Sequence, residues 1–218
     1  MEESERVVRI PAESQHLEGN LSIPKGAKGI VVFAHGSGSS RHSPRNQSVA
    51  IELQNGGLAT LLMDLLTEKE EAEDMRTGWF RFNIDLLAQR VVEAVDWILE
   101  REDTRLFNIG AFGSSTGAAA ALMAAGKRPE KIQAVVSRGG RPDLAGEVLP
   151  MIASPTLLIV GEKDESVIRM NEEAAARMKT ETKIEIIPDA THLFPEPGAL
   201  EKVSQLARQW FERFLARP

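Results

Sequence analysis

Residues 109–117, Ile109-Gly110-Ala111-Phe112-Gly113-Ser114-Ser115-Thr116-Gly117, constrain the fold more than any other stretch. An apolar run ends in Gly-x-Ser-x-Gly and passes directly into Ala118, Ala119, Ala120, Ala121, Leu122 and Met123. Alanine is the best helix former, so the pattern predicts a strand, a sharp turn and a helix. A serine on such a turn is held in a strained backbone conformation, and side chains two residues to either side would strike the flanking chain. Glycine at both offsets removes those clashes, and Ser115 has Gly113 and Gly117 there while Ser114 does not. The turn also puts Ser115 at a helix N-terminus, where free backbone N–H groups can stabilise an oxyanion. Small residues make ordinary strand-to-helix turns as well, so the motif draws its meaning from the rest of the chain.

At 218 residues the chain is long enough for one sizeable core, and a single domain over 1–218 is expected. No apolar run approaches the roughly 20 residues of a membrane span. The start, Met1-Glu2-Glu3-Ser4-Glu5, lacks the basic and apolar regions of a signal peptide. A cytoplasmic protein with no membrane partner is the expectation. The net charge of -6, with acids and bases mixed along the chain, argues against a nucleic-acid binder. Cysteine is absent, which excludes disulfides, thiolate metal sites and a cysteine nucleophile.

Residues 5–23 read as two short strands, with Glu18-Gly19-Asn20 as the turn between them. Ile30–Ala34 is continuously apolar, as suits a strand buried on both faces of a parallel sheet. It ends in the loop His35-Gly36-Ser37-Gly38-Ser39-Ser40. A helix is predicted over Pro44–Asn55, stopped by Gly56-Gly57, and a strand over Leu58–Met63. Thr67–Thr77 reads as an acidic surface excursion with some helix. Its Glu68, Glu70, Glu71, Glu73 and Asp74 suit a solvated face better than a metal site, because nothing sets their spacing into a coordination shell. Helical spacing returns over Phe82–Glu100. Strands follow at Leu106–Phe112, Ile132–Val136, Thr156–Val160 and Ile184–Ile187, and helices at Thr116–Ala125, Leu144–Leu149, Glu172–Met178 and Gly198–Leu215. Strand and helix alternate almost throughout, which predicts an α/β fold with a mostly parallel sheet and helices on both faces. In such sheets functional residues collect at the carboxyl ends of the strands.

Three of those ends carry complementary chemistry. The elbow offers Ser115, the loop Gly161-Glu162-Lys163-Asp164-Glu165-Ser166 offers an acid, and Pro188-Asp189-Ala190-Thr191-His192-Leu193-Phe194 offers a histidine. Serine, acid, histidine is the chain order of a triad built on an α/β-hydrolase sheet. A serine hydroxyl needs a base to take its proton as it attacks a carbonyl, and histidine titrates near working pH. A carboxylate then holds the imidazole tautomer and stabilises the imidazolium. Asp164 lies far enough past its strand to turn back towards His192, with Glu162 as the fallback; Asp189 is too close in sequence to His192 and suits a turn. The oxyanion donors are the amide of Thr116 and one from Gly36-Ser37-Gly38, with Ser37 and Gly36 the candidates. His16 is expected to be solvated and His35 to orient the glycine-rich loop. His42 is either a pocket-lining, substrate-binding side chain or a surface one, the surface role being preferred. No metal or cofactor is called for.

These residues resemble the α/β-hydrolase superfamily, and more narrowly its dienelactone-hydrolase-like branch. The likeness covers nearly the whole chain and rests on His35-Gly36-Ser37-Gly38-Ser39, Gly113-Ser114-Ser115-Thr116-Gly117, Gly161-Glu162-Lys163-Asp164 and Ala190-Thr191-His192-Leu193-Phe194. Ser137-Arg138-Gly139-Gly140-Arg141-Pro142-Asp143-Leu144 is similar to a small bacterial subgroup, some of whose members are fused to a phosphoribosyltransferase domain; none is expected within these residues. The resemblance implies serine esterase chemistry by Ser115, Asp164 and His192. Dienelactone hydrolases proper use a cysteine nucleophile, so the serine here favours simple carboxylic esters, small molecules, as substrates. Many family members insert a cap domain after the strand that follows the elbow helix, but Ser137–Ser154 is too short for one, and an open pocket is expected. Arg138 and Arg141 end that strand facing the site. The planar guanidinium of Arg138 suits a substrate carboxylate; the alternative, preferred, is a pair with Asp64 or Asp143 that braces the loops.

Overall fold

The computed structural model describes residues 5–13 and 15–216. Among them the strands are β1 (Arg6–Ala12), β2 (Gln15–Ser22), β3 (Gly29–Ala34), β4 (Ala59–Met63), β5 (Asn108–Ser114), β6 (Ile132–Arg138), β7 (Thr156–Gly161) and β8 (Thr182–Ile187). The α-helices are α1 (Pro44–Asn55), α2 (Glu68–Thr77), α3 (Ile84–Glu100), α4 (Thr116–Lys127), α5 (Glu165–Arg177) and α6 (Ala199–Leu215), with 3₁₀ turns at Phe80–Phe82 and Pro142–Met151. All eight strands form one sheet in the order β1-β2-β4-β3-β5-β6-β7-β8. Only β2 runs against its neighbours; the other pairings are parallel. This is the α/β-hydrolase arrangement, and no cap domain separates β6 from β7.

Every residue of β3 is buried, because helices cover both faces of the sheet. Ile30, Val32 and Ala34 face a core shared with Val91, Val95 and Ile98 of α3. Val31 and Phe33 face the opposite core with Leu53 of α1 and Val203 and Phe211 of α6. Phe33 and Phe112 stand opposite each other on β3 and β5 with ring centroids 4.9 Å apart. Burying such a side chain is worth about 1.5–3 kcal/mol, so this centre fixes the strands that end at the site. Helix α4 is buried on nearly every side, and alanine from 118 to 121 lets α3 and the sheet approach it closely.

The opening hairpin differs from expectation in one place. Glu18-Gly19-Asn20 is no turn but the middle of β2, paired with Arg9, Val8 and Val7. The chain reverses instead near Glu13, whose φ is 50°. Glycine at 19 suits the close approach of β4: a Cβ there would stand 3.0 Å from Leu61 Cδ1 and 3.3 Å from the Leu62 carbonyl, both tight contacts. The acidic excursion also departs from a purely solvated face. Thr67 and Glu70 form a capping box that starts α2. Glu70 further accepts from the buried Arg90 of α3 at 2.8 Å, and the buried Asp74 is bound by Arg81. Burial pushes the Asp74 carboxyl up, but the hydrogen bonds from Arg81 outweigh it and hold the group below its ordinary value. Helix α2 is therefore docked by its acids. No helix among the described residues is long and apolar enough to cross a membrane.

Candidate active site

Ser115 joins β5 to α4 with φ 51° and ψ −122°, a conformation that L-residues rarely adopt. The flanking glycines are required by contact. A Cβ on Gly113 would lie 2.4 Å from Ala118 Cα, and one on Gly117 would lie 2.3 Å from the Ala34 carbonyl oxygen. The loop after β6 clasps the elbow from the side: the Ser115 amide donates to the Arg138 carbonyl at 3.3 Å, and the Arg141 amide donates to the Ser115 carbonyl at 3.1 Å. The buried Asn171 of α5 supports that loop by donating to the Gly140 carbonyl at 3.1 Å. Sequence reasoning did not single out Asn171; an amide inside an otherwise apolar helix stripe is the signal it left.

His192 and Asp164 meet across two loops. His192 Nδ1–H donates to Asp164 Oδ2 at 2.6 Å. A carboxylate can only accept here, so a proton sits on Nδ1, and in the neutral imidazole it is Nε2 that carries the lone pair. Asp164 is free for this because, at the N-cap of α5, its side chain caps nothing. Glu162, the fallback acid, is engaged elsewhere: it accepts from the Asp189 amide at 2.8 Å. Asp189 itself turns the chain with φ 58°. No hydrogen bond joins the Ser115 hydroxyl to His192 among the described residues, but both side chains line one cavity of about 250 Å³.

The loop after β3 forms the opposite wall. His35 is buried with both ring nitrogens occupied: Nδ1–H donates to the Gly36 carbonyl at 2.9 Å, and Nε2 accepts from the Leu65 amide at 3.1 Å. Burial lowers its pKa, more than the Gly36 bond and the nearby carboxylates of Asp64 and Glu71 raise it. It is thus a neutral strut that orients the loop. The Ser37 amide, a candidate oxyanion donor, reaches across to the Thr116 hydroxyl at 3.0 Å. Gly36 passes directly over the nucleophile, where a Cβ would be 3.1 Å from that of Ser115. A second cavity, of about 300 Å³, shares the Gly36, Ser37 and Ser39 wall and opens towards Leu65, Leu66 and Met75. It does not contain Ser115; the chemistry belongs to the smaller one.

His42 takes the surface role preferred for it, while the bracing role expected of Arg138 is corrected. His42 is exposed, is absent from the cavity wall, and makes a local bond from its amide to the Ser40 hydroxyl at 3.2 Å. Arg138 does not brace the loops, because both acids are taken. Asp64 pairs with Arg41, and Asp143 pairs with Arg141 at 2.8 Å. Arg138 instead lines the cavity of Ser115, and so does Arg45 of α1, which sequence reasoning missed. The overlooked signal was electrostatic: Arg45 lies in the first turn of a helix, where the dipole disfavours a cation.

The sequence profile of the dienelactone hydrolase family matches residues 17–216. In two strains of Mycobacterium tuberculosis, CDC 1551 / Oshkosh and ATCC 25618 / H37Rv, a protein provisionally named a phosphoribosyl transferase is 48% identical over 211 residues. The match covers 97% of this chain and 47% of that protein, so the chain spans about half the length of these relatives. The crystal structure of dienelactone hydrolase from Anabaena variabilis ATCC 29413 is 56% identical with a TM-score of 0.97, covering 99% of this chain and 100% of that one. Est1E from Butyrivibrio proteoclasticus shares the fold at 17% identity, with a TM-score of 0.79 over 96% of this chain and 98% of its own. An elbow serine and a loop histidine on an eight-stranded α/β sheet, with a family match over nearly the whole length, lead to one assignment: the chain belongs to the dienelactone hydrolase family and has the α/β-hydrolase fold.

Proposed function

We propose that the protein is a serine hydrolase that cleaves small carboxylic esters through an acyl-enzyme intermediate. One observation carries the proposal: the imidazole whose Nδ1–H is held by Asp164 shares a cavity with a serine in an elbow conformation. Ser115 Oγ bonds to the ester carbonyl carbon while its proton passes to His192 Nε2, and the carbonyl π electrons move onto oxygen. The Thr116 amide, at the start of α4 and without an intrahelical carbonyl, stabilises that oxyanion, joined by the loop amide of Ser37 once its N–H turns from the Thr116 hydroxyl. The Gly36 carbonyl is held by His35 and by the Ser39 amide at 3.2 Å, which keeps it fixed. As the intermediate collapses the C–O bond to the alcohol breaks, and the alcohol leaves with the proton from Nε2. Water then attacks the acyl carbon with the same base, releasing acid and free Ser115. Every group needed belongs to the chain.

Serine in place of the cysteine of dienelactone hydrolases proper favours simple esters over dienelactone. The transferase name of the mycobacterial relatives belongs to proteins of which this chain matches 47%, and it suggests no chemistry for Ser115. The test is labelling with a fluorophosphonate followed by peptide mapping, on the native protein and on Ser115→Ala. A single adduct on Ser115, absent from the variant, is expected. No adduct on folded protein would sink the proposal and leave a ligand-binding protein on a hydrolase scaffold.

A further inference from the structure

We propose that the cavity beside Ser115 is a subsite for a doubly charged oxyanion group, of phosphate or phosphonate type, held between Arg138 and Arg45 on the ester that the serine cleaves. The proposal rests on the hydrolase function argued above and deepens it by naming a substrate class.

Arg138 is only 7% exposed, yet its Nη1 has no hydrogen-bond partner, and the buried Nε of Arg45 has none either. Buried guanidinium groups are ordinarily paired, because an uncompensated charge in a low-dielectric interior is costly. The two acids expected to pair with Arg138 are engaged elsewhere, Asp64 with Arg41 and Asp143 with Arg141, and Asp164 is held by His192. Among the described residues no carboxylate lines the cavity; its polar wall is Ser37, Ser39, Ser43, Ser114 and the two arginines, beside Ser115 and His192. Burial, and then the charge of Arg45, lower the Arg138 pKa to about 10, which leaves Arg138 cationic at neutral pH.

Helix α1 adds to the imbalance. Its twelve residues begin at this wall, Ser43 caps them through the Asn46 amide, and Arg45 occupies the first turn with no acid beside it. A cation is disfavoured there and an anion favoured. An anion between the start of α1 and Arg138 would relieve all three frustrations together. One carboxylate would balance one guanidinium. Two guanidinium groups and a helix N-terminus match a dianion with oxygens pointing in several directions, which the planar donor forks of arginine suit. The Ser39 and Ser43 hydroxyls are further donors on the same wall.

The test compares kcat/KM for three chromogenic esters: 4-nitrophenyl phosphonoacetate, 4-nitrophenyl monosuccinate and neutral 4-nitrophenyl butyrate. Native protein should prefer the phosphonate ester over the neutral one by about 30-fold or more, the scale of a buried charge pair. That ratio should fall towards unity in Arg138→Met and in Arg45→Met. A flat ratio in native protein, or a ratio that neither variant changes, would overturn the subsite while leaving the hydrolase intact. Monosuccinate equal to or better than the phosphonate would overturn the double charge. If no ester is cleaved, the hydrolase function fails by itself, and calorimetry decides the subsite: phosphonoacetate should bind Ser115→Ala and fail to bind Ser115→Ala/Arg138→Met. No binding to Ser115→Ala would end the proposal.

Discussion

The backbone amide of Ser37 donates to the side-chain hydroxyl of Thr116 at 3.0 Å, tying the loop after β3 to the first residue of α4. The bond holds that loop against the residue whose amide is the proposed oxyanion donor, and so positions the wall over Ser115. Thr116→Val keeps the shape and removes the acceptor, and should lower kcat by about 10–100-fold, less than the 10²–10³ for loss of a whole donor. Thr116→Ser should restore most of it. Steady-state kinetics with KM near the native value would separate this from a binding defect, and unchanged kcat in Thr116→Val would dismiss the role.

Asp164, not Glu162, is bonded to His192. Asp164→Asn should therefore lower kcat by about 10⁴, as for other triads. Glu162→Gln retains an acceptor for the Asp189 amide and should keep turnover close to native. The reverse pattern would transfer the acid to Glu162.

Ser115 holds a positive φ that glycine tolerates far better. Ser115→Gly should abolish turnover and raise the unfolding free energy by about 1–2 kcal/mol, within the usual range of such local strain. Gly117→Ala should do the opposite to stability, since its methyl would sit 2.3 Å from the Ala34 carbonyl oxygen. Urea unfolding of the three proteins checks both signs. A less stable Ser115→Gly would mean that the elbow stores no strain.

His35 is buried neutral, its pKa pushed below the ordinary 6.5 by burial. Between those two values the unfolded chain binds a proton that the folded protein does not. Stability should therefore fall as the pH drops below about 6.5, by at most about 1.4 kcal/mol per pH unit, until the folded group itself protonates. In His35→Asn, which cannot protonate, the slope between pH 7 and pH 5 should be shallower. Equal slopes in thermal unfolding would show that His35 titrates alike in both states.

The sequence by itself determined the alternation of strand and helix, the elbow around Ser115, and the order of serine, acid and histidine. These are local properties. Glycine spacing, alanine propensity and apolar runs act within a few residues of the chain, so Pro44–Asn55 could be bounded from Pro44 and Gly56-Gly57 alone. Only the tertiary structure decided what depends on a distant neighbour. Gly19 looks like a turn residue until β4 is packed against it. Glu70 and Asp74 look solvated until Arg90 and Arg81 reach them. Arg138 had two acids to choose from, and which cations claimed them follows from how β4, β6 and the 3₁₀ turn after β6 are arranged in space. Charge compensation is a three-dimensional sum, and the cavity beside Ser115 is where that sum is left positive.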